Sequence, residues 1–175
     1  MNTINTPKNR KGFALIELMI VVAVIAVLMA IVIPSYVGMK NKAMKGVIQR
    51  AASAAESDIL GWLQSARKGG STLREIDTNG NGVAGDVNDL TNYNLAIDLA
   101  TPNQLCQRYI NARFFTVEEY SPWEPALRLW TTAISSGATA NARIACNQEA
   151  DATTILLEGR DRLGSSIYRK EISID

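Results

Sequence analysis

The sequence predicts an α+β protein: a long N-terminal helix, apolar in its first half and amphipathic in its second, packed against a small antiparallel-sheet head with short helices. Two observations carry this expectation. A nearly unbroken apolar run near the N-terminus gives way, after Pro34, to apolar residues at helical spacing, and the C-terminal third reads as short extended segments. The chain divides accordingly into a polar leader (1–12), an apolar helix (13–37), an amphipathic continuation (38–70) and a globular head (71–175).

Composition narrows the function. With 175 residues, 47% of them apolar, the chain can bury the core of one ordinary domain. A formal net charge of +1 argues against a strongly basic nucleic-acid binder. There is no histidine, so the commonest general base and the usual zinc ligand are both missing. Cys106 and Cys146 lie too far apart for a CxxC redox pair or a metal cluster.

The leader carries Lys8, Arg10 and Lys11, and no acid precedes Glu17. From Leu18 to Ile33 sixteen apolar residues follow one another, and Glu17 is the only charge between Phe13 and Val37. As a helix, Phe13–Val37 covers roughly 37 Å, enough for a hydrocarbon core of about 30 Å. A secretory signal peptide is a poor fit: the run is too long, and Ile31-Val32-Ile33-Pro34 is a poor cleavage site. An ordinary membrane anchor fits the length but gives no reason for Glu17. A carboxylate one turn inside a membrane helix costs about 3 kcal/mol unless it is paired or neutral.

The residues Gly12-Phe13-Ala14-Leu15-Ile16-Glu17-Leu18, with the basic leader before them and Pro34 after them, resemble the type IV prepilin signature. The resemblance implies that a prepilin peptidase cuts between Gly12 and Phe13 on the cytoplasmic side and N-methylates Phe13. It implies that Glu17 pairs with the Phe13 amine of a neighbouring subunit, and that Pro34 kinks the helix near the outer membrane surface. A mispositioned subunit would bury one of those charges without its partner, so the pair would set axial register. The positive-inside rule alone leaves orientation open, because Lys40, Lys42, Lys45 and Arg50 follow the span. The signature points to leader-in, head-out.

Beyond Pro34, Met44, Val47, Ile48, Ala51, Ala55, Ile59 and Trp62 form one apolar face, with Lys42, Lys45, Gln49, Ser53, Glu56 and Arg67 opposite. Lys68-Gly69-Gly70 reads as the helix end. Phe13–Lys68 would span about 84 Å as helix. Its first half has no polar face, so outside lipid it must pack against other copies of itself. Gly38 and Gly46 would loosen the helix.

In the head, Thr101-Pro102 reads as a cap and first position of a helix carrying Leu105, Cys106, Tyr109 and Ile110. Ser121-Pro122 repeats that signal before Trp123, Leu127 and Trp130. Ala142–Cys146, Thr154–Glu158 and Ile167–Ile174 read as strands, with a turn over 159–164. Tyr36, Trp62, Trp123 and Trp130 are expected in the core. With the head outside the cytoplasm, Cys106 and Cys146 are expected to form a disulfide.

Asp77-Thr78-Asn79-Gly80-Asn81-Gly82-Val83 opens like an EF-hand or dockerin loop. Asp77, Asn79 and Asn81 offer side-chain oxygens and Val83 a carbonyl, while Gly82 permits the sharp turn. Position twelve is Asn88 instead of glutamate, leaving Asp86 and Asp89 as substitutes. The segment reads either as a calcium loop of hard oxygen donors or as a polar surface turn.

No constellation of nucleophile, base or metal site suggests an enzyme. Glu118-Glu119 reads as a solvated face, and Ser135-Ser136 and Ser165-Ser166 as loops. The resemblance implies a type IV pilus subunit, for adhesion, twitching motility or DNA uptake. It would sit in the inner membrane as precursor, head in the periplasm, and then in an extracellular homopolymer. Implied partners are the peptidase, the assembly platform, its ATPase and the secretin. A type II secretion pseudopilin shares the signature. A DNA-binding minor pilin would need Arg108, Arg113, Arg128 and Arg143 to converge.

Overall fold

The computed structural model describes residues 15–68, 77, 82–83, 103–132, 141–148 and 153–174. The chain forms two compact units, Met1–Lys42 and Ala43–Asp175. Helix α1 runs over Leu15–Lys68. Helix α2 (Gln104–Val117) follows, then four strands: β1 (Trp130–Thr131), β2 (Ile144–Gln148), β3 (Thr154–Arg160) and β4 (Ser166–Ser173). This is the expected α+β arrangement of a long N-terminal helix, a short helix and a small sheet.

The sheet order is β1-β2-β3-β4. It is mixed, not wholly antiparallel: β1 pairs with β2 in parallel, whereas β2–β3 and β3–β4 are antiparallel. Parallel neighbours need a long connection, and here the chain between Thr131 and Ile144 supplies it. Strand β2 starts at Ile144, later than the expected Ala142, because Ala142 takes a left-handed φ of 58° in a turn.

In the second unit, α1 turns Ile48, Ala52, Ala55, Ile59, Trp62, Leu63 and Ala66 inward. Val47, expected on that face, is exposed, because the buried stripe is centred on Ile48, Ala52 and Ile59. Leu105, Cys106, Tyr109, Ile144, Ile155 and Leu157 complete the core from α2 and the sheet. Tyr109 sits between two indoles, edge-on to Trp62 at 5.4 Å and to Trp130 at 5.6 Å between ring centroids. Cys106 on α2 and Cys146 on β2 are both fully buried and disulfide-bonded.

Two local expectations need correction. Helix α2 begins at Gln104, so Pro102 is not its first residue. Asn103 precedes it in a left-handed conformation, φ 63°, and makes no side-chain cap. Its Oδ1 instead accepts the Gln148 N–H at 2.9 Å, tying the helix start to β2. No helix follows Ser121-Pro122. Pro125 explains this, since a second proline would lack its N–H and clash with the carbonyl of Ser121 in a helix. The segment forms a tight turn instead, with the Ser121 N–H donating to the Leu127 carbonyl and Tyr120 bridging to Arg128.

The β3–β4 hairpin lies along the second half of α1. Gly159 is what lets it approach: a Cβ there would stand 2.7 Å from Ile48 Cγ2 and 3.3 Å from Tyr168 Cβ. Gly159→Ala is therefore expected to destabilise the head by roughly 1–3 kcal/mol through overpacking. Denaturant unfolding reads this directly, and Ile48→Ala in the same chain should recover part of the loss because the two sites touch.

At the hairpin tip, Asp161 Oδ2 pairs with Lys45 Nζ at 2.7 Å, while Oδ1 accepts the Leu163 and Ser165 N–H groups at 2.9 Å each. Burial alone would raise this carboxyl; the Lys45 ammonium and the two N–H groups override it and hold it below its ordinary range. Such a group contributes stability above its unfolded pKa, near 3.8, and loses it as pH falls through the folded value. Head stability is thus expected to be flat from neutrality to about pH 5 and to fall below about pH 4. Asp161→Asn should shrink that fall, as acid titrations of unfolding would show. Further along the hairpin the Tyr168 hydroxyl donates to Glu56, and burial with this carboxylate pushes the phenol up to about 12.

Candidate assembly and processing site

Of the residues singled out by the signature, Glu17 and Pro34 lie within α1. Glu17 occupies the first turn of the helix, where the N–H dipoles favour a negative charge. Gly12 and Phe13 lie outside the described residues. The helix continues through Pro34. Proline has no N–H to offer the Ala30 carbonyl, so the ladder is locally weakened there.

From Leu15 to Met39 the large apolar side chains are exposed, from 48% at Ile25 to 80% at Leu15, on every side of the helix. Mean hydropathy reaches 3.2 over an 18-residue window, so the helix is long and apolar enough to cross a membrane. Such a surface is unfavourable in water: its burial is worth about 25 cal/mol per Å², which a lipid layer or an apolar protein partner would supply. Tyr36, expected in the core, is 61% exposed and belongs to this surface.

The remaining candidates fare differently. Within the acidic loop, Asp77 Oδ2 accepts the Gly82 N–H at 2.6 Å, and Gly82 adopts a φ of 88° that a side chain would strain. Val83 is exposed. Asn79, Asn81, Asp86 and Asp89 lie outside the described residues. Among the described residues, no three acidic or cysteine side chains gather as a metal site.

Three of the four arginines are engaged within the head. Arg113 donates both nitrogens of its fork to Glu119, at 2.7 and 3.1 Å, and lies 5.6 Å from the Trp130 ring centroid. Burial opposes its charge, but the Glu119 bonds leave its pKa raised. Arg128 stacks on Phe114, and Arg143 donates to the carbonyls of Arg128 and Trp130. Glu119 is accordingly no solvated acid: besides Arg113 it accepts the Trp130 indole N–H at 2.6 Å. Spacing alone carries no signal for this cluster, nor for the Lys45–Asp161 pair.

Comparison with known families agrees with the N-terminal reading. Residues 7–33 match the prokaryotic N-terminal methylation motif, which is the type IV pilin and pseudopilin signature. The motif supports that class in general, and it implies processing by a prepilin peptidase and assembly into a pilus-type filament. No curated protein and no solved structure matches the chain significantly.

Proposed function

We infer that the chain is a structural subunit of a type IV pilus, with no catalytic chemistry of its own. The observation that carries this reading is the junction of the methylation motif with a helix apolar and exposed on all sides over its first half. Insertion in the inner membrane, leader in the cytoplasm and head in the periplasm, covers that surface first. After cleavage between Gly12 and Phe13, packing against other copies covers it in an extracellular filament. In that core Glu17 neutralises the methylated Phe13 amine of a neighbour, and Pro34 marks the bend where the helix leaves the membrane. The filament would serve adhesion, twitching motility or DNA uptake, built with an assembly platform, an ATPase and a secretin.

The Cys106–Cys146 disulfide supports a pilus subunit over a secretion pseudopilin. The test is electron microscopy of sheared surface filaments with intact mass of their subunit. Long filaments of a chain beginning at methylated Phe13 are expected. A processed chain absent from long filaments would instead make it a minor pilin or pseudopilin, and an uncut chain would overturn the reading.

Calcium belongs to the same proposal. Asp77, Asn79, Asn81, the Val83 carbonyl, Asp86 and Asp89 are hard oxygen donors of the kind calcium takes, and a bound ion would stiffen a filament-surface loop. Chelation is expected to make the chain easier to cleave within 77–89 by protease, with Asp77→Ala reproducing the effect. Equal cleavage with and without calcium would leave the segment a polar turn.

A further inference from the structure

Where the apolar run of α1 ends, Tyr36, Lys40 and Lys42 stand exposed. Their placement around the helix is informative. Tyr36 and Lys40, four residues apart, share one side, whereas Lys42, two residues on, projects about 200° away from Lys40. A contact with one protein face would gather the cations on one side. A layer of anions surrounding the helix is met from both.

Depth agrees with this. Lys40 and Lys42 lie roughly 4.5 and 7.5 Å further along the helix than Val37. The headgroup layer is about 5–7 Å thick outside a hydrocarbon core of about 30 Å. Tyrosine favours the same boundary, its ring in the interface and its hydroxyl in water. Nor is the attraction offset along the helix, since no aspartate or glutamate occurs from Leu18 to Ala55. When the leader is removed, Lys8, Arg10 and Lys11 go with it, and the lysines beyond the span become the side-chain cations flanking it.

We propose that Tyr36, Lys40 and Lys42 form a collar that binds anionic glycerophospholipid headgroups on the outer face of the inner membrane. It holds the subunit at a fixed depth until assembly withdraws it. Two lysines beyond the span run against the positive-inside tendency, and the anionic lipid gives them partners. The inference rests on the membrane-anchored precursor of the proposed function.

The test uses the processed chain, beginning at Phe13 and so free of Lys8, Arg10 and Lys11, in lipid nanodiscs of phosphatidylcholine and phosphatidylglycerol, with retained lipid read by native mass spectrometry after gentle release. Phosphatidylglycerol should be enriched about tenfold over phosphatidylcholine around the unaltered chain. K40Q/K42Q should bring the ratio close to even, while K40R/K42R should keep the enrichment. Added salt should weaken it. An even ratio around the unaltered chain, or an enrichment that survives K40Q/K42Q, overturns the collar. So does a self-association lost in K40Q/K42Q with the lipid ratio unmoved, which would assign the lysines to a second copy. Alkaline carbonate extraction of cell membranes separates this from the underlying reading. A chain retained but indifferent to lipid charge loses only the collar; a chain washed off loses the membrane anchor too.

Discussion

Replacing Glu17 with glutamine is expected to leave membrane insertion and cleavage intact and to reduce sheared surface filaments by about a hundredfold or more. Removing one partner of a buried charge pair costs roughly 3–5 kcal/mol, because the other charge stays buried without it. In the proposed filament core that charge would be the amine of Phe13, created by cleavage and therefore present in every processed copy. The cost recurs at each subunit added, so a modest energy per contact becomes a large loss of polymer. Glutamine keeps the size of the side chain and one acceptor oxygen, turns the other oxygen into an amide donor and removes the charge. Intact mass separates the steps: a subunit cut after Gly12 but missing from the sheared fraction places the defect in assembly. Filaments at the normal level would remove Glu17 from assembly and leave its carboxylate unexplained.

The second large effect concerns the head. Cys106→Ser with Cys146→Ser should lower its stability by roughly 4 kcal/mol, the chain-entropy value for closing a loop of about forty residues. That is a large share of the 5–15 kcal/mol typical of a domain. Both cysteines are fully buried and join α2 to β2, so two serine hydroxyls left in this apolar place would add to the loss. Denaturant titration of the purified chain in detergent measures the effect. Reductant should lower the midpoint of the unaltered chain toward that of the double variant once unfolding exposes the sulfurs, stopping short of it by the cost of the two hydroxyls, and should leave the double variant unmoved. A double variant within about 1 kcal/mol of the parent would show that packing alone holds α2 on the sheet.

The apolar half of α1 is legible in the order of its residues. The reason is that its constraints are one-dimensional: a hydrocarbon layer demands a long apolar helix, and a carboxylate within it demands a partner. The end of α1 at Lys68 is equally readable, since a cation and two glycines follow ordinary helix-stop chemistry. The three longer strands are legible to within a few residues.

The head is less so where local signals compete with long-range packing. Ser121-Pro122 carries the chemistry of a helix start, but Pro125 forbids the helix, and the segment spends its backbone on a turn that leads into β1. Asn103 is a good capping residue whose side chain serves β2 instead. Glu119 looks like a surface acid until the fold brings Arg113 and Trp130 to it.

The processing signal, the apolar helix and the amphipathic stripe that continues it are all written in the local sequence, because each depends on residues close together in the chain and on the period of one helix. The parallel pairing of β1 with β2, the close approach of Gly159 to Ile48 and the union of Lys45 with Asp161 arise only in the folded chain. Those join residues far apart in sequence. Which partners meet is settled by the packing of whole elements, and no local pattern encodes it.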